Sequence, residues 1–178
     1  MQSHGLGVFS IDQFSHIGEN VVFEKDVLVF HPENIEIGRH VYIGHQTILK
    51  GYYKNKMYIG DHTWIGQQCF LHSAGTLRIG NHVGMGPGVK IITSFHEARD
   101  ASLPVIDTPL LFEPVIIEDH CDIGTGAIIL PGTTIGKGCI IGAGAVITKD
   151  IPAYSVAVGN PARVIKVRHE NPKMRASL

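Results

Sequence analysis

Eleven histidines and three cysteines are the side chains of this 178-residue sequence best suited to chemistry. An imidazole has an ordinary pKa near 6.5, so it can take and return a proton at neutral pH, or ligate a metal. Position sorts the histidines. His40, His62, His82 and His120 each stand three residues after an isoleucine, as in Ile37-Gly38-Arg39-His40, and Asn20 fills the same place after Ile17. Such regularity predicts a stacked polar ladder, with a metal site between its rungs as the sharper alternative. His96 differs. It opens the segment Thr93 to Pro114, which interrupts an otherwise regular pattern. Interruptions of this length are usually functional or disordered.

Cys69, Cys121 and Cys139 make no CxxC pair and no zinc-ribbon spacing, and an odd number argues against full disulfide pairing. Each falls four residues after an isoleucine. Val41, Thr47, Ala127 and Ala145 occupy the same kind of position. A place shared by Val, Thr, Ala and Cys reads as an interior site of limited volume, with the cysteines acting as small reduced hydrophobes. The glycine-rich runs Gly84-Met85-Gly86-Pro87-Gly88 and Gly142-Ala143-Gly144 are not followed by GK[ST], so they are not phosphate loops.

The element that must position these residues is a hexapeptide. Aliphatic residues recur every six positions, unbroken at Ile117, Ile123, Ile129, Ile135, Ile141 and Ile147. Upstream they return at Ile11, Ile17, Phe23 and Val29, and again in blocks from Ile37, Ile59 and Ile79. Residues six apart face different sides of an α-helix. The period suits short strands with a turn after each, three to a triangular coil of about 18 residues. About seven coils account for residues 11–165. Residues 1–10 form a lead-in, 93–116 an inserted long loop, and 166–178 a tail. The glycines that follow the inward aliphatics, such as Gly38, Gly60 and Gly124, are expected where the chain turns.

Fifteen basic and sixteen acidic residues leave a charge of −1, with no basic footprint for nucleic acid. No apolar run reaches the roughly 18 residues of a membrane span. The stretch 1–7 lacks a signal-peptide pattern. The expectation is a cytoplasmic protein with no membrane partner.

The pattern aliphatic-Gly-x-x-small-x resembles the hexapeptide-repeat acyltransferases over nearly the whole chain. The resemblance implies an all-β fold, a left-handed parallel β-helix. The run from Ile79 to His96, ending Val89-Lys90-Ile91-Ile92-Thr93-Ser94-Phe95-His96, is similar to one cluster of that family. It contains galactoside, maltose and nodulation-factor O-acetyltransferases, with xenobiotic acetyltransferases nearby. There a histidine at this place is the catalytic base, which makes His96 the expected base for direct acetyl transfer. Its orienting partner is Glu97, Asp100 or a backbone carbonyl.

The same resemblance places acetyl-coenzyme A between two subunits of a homotrimer. It assigns pantetheine contacts to Thr125 and Ala143, further coenzyme contacts to Thr148 and Lys149, and phosphate contacts to Arg163 and Lys166. Small side chains let a pantetheine arm approach the backbone, and cations neutralise phosphate. The cluster often has Trp where this chain has Asp122, and acidic sugar-binding residues where it has His72-Ser73-Ala74. His72 is therefore the candidate for lining the acceptor site.

A sugar or sugar nucleotide is the expected acceptor, in polysaccharide biosynthesis or antibiotic modification, with no metal required. Two alternatives carry different tests. A γ-carbonic-anhydrase-like enzyme would hold a metal through histidines; His40 and His45 have that family's five-residue separation, though not its phase. A non-catalytic β-helix scaffold would not bind coenzyme.

Overall fold

A hexad with one aliphatic and one small apolar position buries both only if the chain bends after every strand. In the computed structural model, which describes residues 4–168, it does so around a three-sided helix. Face A starts at His16–Ile17 and ends at Thr134–Ile135. Face B starts at Val22–Phe23 and face C at Leu28–Phe30. The strands of the coils pair in parallel with their counterparts one coil away. Along face B, Val22, Tyr42, Trp64, Gly84, Asp122, Ile140 and Val156 are successive Cα partners. Seven coils result, as the repeat predicts.

The interior is a continuous column of isoleucine, leucine, valine and methionine. The small position is buried from Val27 onward, and several of its polar members bond the next coil. Thr47 Oγ1 donates to the Gly66 carbonyl at 2.9 Å, and the Cys121 and Cys139 thiols to those of Gly136 and Pro152 at 3.2 and 3.0 Å. Burial raises all three thiol pKa values, that of Cys121 to about 11.

The polar ladder is present. The rings of His40, His62, His82 and His120 stack with centroids 4.9, 4.8 and 5.3 Å apart. All four have left-handed backbone (φ between 53° and 62°), and each N–H bonds the coil before it. This corrects the role expected for the glycines. Gly38, Gly60 and Gly124 do not carry the left-handed turn, which falls two residues later. They are glycine because coils touch there. A Cβ on Gly60 would lie 2.6 Å from the Gly80 carbonyl carbon, and one on Gly124 2.5 Å from the Ala143 nitrogen. Close packing of coil on coil excludes a side chain.

Three further differences from the sequence reading have physical reasons. Ile11 is not an inward rung; it lies half exposed in a 3-10 turn, Ile11–Gln13. The first coil has no neighbour above it, and Phe9, Phe14 and Phe23 close that end with ring centroids 4.9 to 5.7 Å apart. The insertion is not an irregular loop to residue 116. Ser94–His96 pairs antiparallel with Leu110–Phe112, and the ladder resumes at Val115 opposite Leu77. At the other end Arg163–Val167 folds back antiparallel on Ser155–Val158, covering the last edge of face B. The boundary expected at 165 falls inside that strand, and residues 169–178 of the expected tail lie outside the described residues.

Candidate active site

The hairpin carrying His96 is rooted at the corner between faces C and A. Thr93 is fully buried there. Its hydroxyl donates to the His72 carbonyl at 2.9 Å and accepts the Gly75 N–H at 3.0 Å. Its own carbonyl accepts the Glu113 N–H at 3.1 Å, joining the two ends of the hairpin. A β-branched residue with a local hydroxyl suits this place, where strand ends and arm begins.

Three residues on, His96 is half-buried and its Nδ1 lies 3.0 Å from the Thr108 carbonyl oxygen. A carbonyl only accepts, so Nδ1 carries a hydrogen, and in the neutral ring the lone pair is then on Nε2. That is the tautomer a general base needs. The other expected partners are engaged elsewhere. Glu97 is 3.3 Å from Arg99, and Asp100 binds Ser102 at 2.6 and 2.9 Å.

His72 ends a face-C strand, Phe70–His72, at the foot of the hairpin. Its Nδ1 is 3.3 Å from Thr93 Oγ1. Burial first, and the Lys50 ammonium second, hold its pKa below the ordinary value. Tyr52 bridges it to the arm, with its ring 6.3 Å from that of His72 and 5.8 Å from that of Phe112. Sequence reading passed over Tyr52 and Thr108. Thr108 acts through its backbone, which leaves no mark in residue type.

The six expected coenzyme residues are all exposed, and they do not form one cluster. Thr125 and Ala143 stack on the corner between faces B and C, where the Gly144 N–H bonds the Thr125 carbonyl at 2.8 Å. That corner is open: a Cβ on Gly126 or Gly144 would meet nothing within 4 Å. Thr148 and Lys149 follow the strand Val146–Ile147, at the other end of face C. Arg163 and Lys166 lie on the closing strand of face B. Thr125 and the root of the His96 arm stand on opposite corners of face C, roughly 15 Å apart at about 3.3 Å per residue.

Among the described residues no three His, Cys, Asp or Glu side chains gather to hold a metal ion. His45 faces Glu24 at 3.3 Å rather than His40.

Residues 114–149 match the family model described as "Hexapeptide repeat of succinyl-transferase". Escherichia coli (strain K12) has a relative named "Putative colanic acid biosynthesis acetyltransferase WcaF". It is 32% identical over 135 residues, covering 76% of this chain and 70% of that protein. The chain belongs to the hexapeptide-repeat acyltransferase family. A solved member, the maltose O-acetyltransferase from Clostridium difficile 630, is 33% identical with a TM-score of 0.64, over 89% of this chain and 72% of that one. The fold is shared more widely. AntD, an N-acyltransferase from Bacillus cereus solved with dTDP-4-amino-4,6-dideoxyglucose and coenzyme A, superposes with a TM-score of 0.81 at 22% identity, over 96% and 95% of the two chains. Of two other curated relatives the chain spans about half the length, 44% and 54%. No helix among the described residues is long and apolar enough to cross a membrane.

Proposed function

We propose that the chain is an acetyl-coenzyme A-dependent acetyltransferase acting on a sugar or sugar nucleotide, with His96 as general base. One observation carries the reading: the Thr108 carbonyl holds Nδ1–H of His96 and leaves Nε2 free to take a proton. His96 removes the proton from the acceptor hydroxyl or amine as that atom attacks the acetyl carbonyl. It then returns the proton to the departing thiol. The Thr108 carbonyl keeps the ring oriented and stabilises the imidazolium that forms between these steps. Acetyl-coenzyme A supplies the thioester. The residues present suit it: Thr125 and Ala143 flank a corner with no side chain at Gly126 or Gly144, which leaves room for a pantetheine arm. Thr148, Lys149, Arg163 and Lys166 would bind the rest of the coenzyme, the two cations of the last strand meeting its phosphates. His72, beside the arm, would face the acceptor. The placement of His96 and Thr125 on opposite corners supports a homotrimer in which one subunit supplies the base and its neighbour the coenzyme corner. The names of WcaF, the maltose enzyme and AntD favour a carbohydrate acceptor.

The test is thiol release from acetyl-coenzyme A over a panel of sugars and sugar nucleotides, with wild type and His96→Ala. Acceptor-dependent release that falls about 10²-fold or more in the variant is expected for loss of a general base. Equal release by both proteins removes His96 from this role. No release and no coenzyme binding overturns the transferase reading.

A further inference from the structure

Among the described glycines whose φ is not positive, Gly84 stands apart. At every other one a Cβ would come within 3.0 Å of a neighbouring atom. At Gly84 the nearest atom is Asp122 Oδ1, at 3.3 Å, and nothing else lies within 4 Å. Neither backbone conformation nor packing within the chain requires glycine there. It sits mid-strand, where glycine weakens a sheet and often marks a place that a ligand approaches.

Its surroundings say what kind of ligand. Gly84 is the rung between Trp64 and Asp122 on the outer side of face B. One side of the Trp64 indole stacks on Tyr42, with centroids 3.8 Å apart and planes 13° from parallel. The other side looks toward the missing rung, and Trp64 is 53% exposed. Strands lie about 4.8 Å apart, so Trp64 and Asp122 are roughly 9.6 Å apart across the gap. A ring seated on the indole at about 3.5–4.0 Å lies roughly 6 Å from the Asp122 rung, and the carboxylate, whose Oδ1 reaches to 3.3 Å from where a Cβ on Gly84 would stand, leans into that remaining space. The slot therefore has an aromatic wall, a backbone floor and an anionic acceptor wall. A pyranose matches all three: one C–H face is apolar, and an axial or exocyclic O–H or N–H on its other side can donate toward the carboxylate. An apolar protein side chain would bury the Asp122 carboxylate without a donor, which is costly. The slot is two residues along the strand from Gly86, whose Cβ would lie 2.6 Å from the Thr125 nitrogen. It thus opens beside the corner assigned to pantetheine.

The geometry points to a sugar-ring subsite between Trp64 and Asp122, floored by Gly84, that holds the pyranose of the acceptor. This assignment rests on the acetyltransferase reading for the identity of the ring as acceptor.

Trp64 is the one tryptophan in the sequence, so its fluorescence reports occupancy of the slot without any turnover. The titration uses free hexoses and amino-hexoses, sugar nucleotides, and the matching nucleotides without the sugar. Saturable change with sugars or sugar nucleotides, and none with the bare nucleotides, is expected. Gly84→Val fills the rung with a strand-forming residue. It should abolish that change and raise the acceptor KM at least tenfold, with coenzyme binding and sedimentation unchanged. Asp122→Asn should weaken binding several-fold while leaving the fold intact.

Response to bare nucleotides as large as to sugar nucleotides overturns the pyranose assignment. Silence of Trp64 toward every sugar overturns the slot, as does an unchanged KM in Gly84→Val. Dissociation of an oligomer by Gly84→Val also overturns it, by making this face a subunit contact. The two readings fail separately. Sugar binding without thiol release removes the transferase and keeps the slot; thiol release unaffected by Gly84→Val removes the slot and keeps the transferase.

Discussion

The Thr108 carbonyl lies 3.0 Å from Nδ1 of His96, twelve residues away across the hairpin. Thr108 is itself held, its hydroxyl and N–H both donating to the Val105 carbonyl at 2.7 and 3.1 Å. The Nδ1–H tautomer of His96 is thus set by a 3-10 turn, Val105–Asp107, rather than by a carboxylate. Thr108→Val keeps the carbonyl and loosens the turn. One hydrogen bond of about 1 kcal/mol should appear as a several-fold lower kcat, with the KM for acetyl-coenzyme A unchanged. Nitrogen NMR of His96 should show protonated Nδ1 in wild type and a tautomer mixture in the variant. An unchanged kcat and spectrum would remove Thr108 as a positioning residue.

The proposed trimer, with its site shared between subunits, predicts complementation. His96→Ala and a second variant with a blocked coenzyme corner, Ala143→Trp, should each be inactive alone. Co-expressed in equal amounts, their mixed trimers contain some interfaces with both sound halves. Random assembly of a cyclic trimer gives up to about one quarter of wild-type activity. No recovery in trimers that demonstrably contain both chains would place base and coenzyme corner in one subunit.

The three thiols should be silent in the folded protein. Burial raises all three pKa values, that of Cys121 to about 11, so thiolate is scarce at pH 8. A colorimetric thiol reagent should count no cysteine in the native protein and three after denaturation. Fast native labelling would contradict the packed small position. A silent background also makes thiol release readable in the activity assay.

Two glycine substitutions should behave oppositely. Gly60→Ala drives a methyl to 2.6 Å from the backbone of the next coil. Overpacking of that kind costs about 1–3 kcal/mol and should lower the urea midpoint. Gly84→Ala meets only the Asp122 carboxylate, and should be neutral or raise the midpoint through better strand propensity. Equal midpoints for the two variants would refute the close-approach account of the coil glycines.

His72 should make stability fall on mild acidification. Its folded pKa is held below 6.5 by burial and by Lys50. Between those two pKa values the unfolded chain binds a proton that the folded chain does not, so stability drops as pH falls below about 6.5 and is fully present above it. His72→Asn should flatten the urea midpoint between pH 7.5 and 5.5 relative to wild type. An identical slope in both proteins would remove His72 as the source.

The sequence by itself determined the hexad, the seven coils, the interior place of the cysteines and the break at Thr93. These depend on local alternation of large, small and polar residues, which repeats along the chain and is readable one hexad at a time. The segment that His96 opens was legible because it breaks that order, and the role expected of His96 came from the resemblance of the run Ile79 to His96 to one cluster of the family. Only the tertiary structure decided why Gly60 must be glycine, since its neighbour Gly80 belongs to the next coil. It also decided that Phe14 rather than Ile11 closes the end, and that a carbonyl orients His96. The gap at Gly84 is likewise invisible along the chain. Trp64, Gly84 and Asp122 are separated by 20 and 38 residues, yet stand on consecutive rungs. Stacking converts sequence distance into a fixed spacing of about 4.8 Å, and a missing side chain becomes a site only once the rungs on either side of it are known.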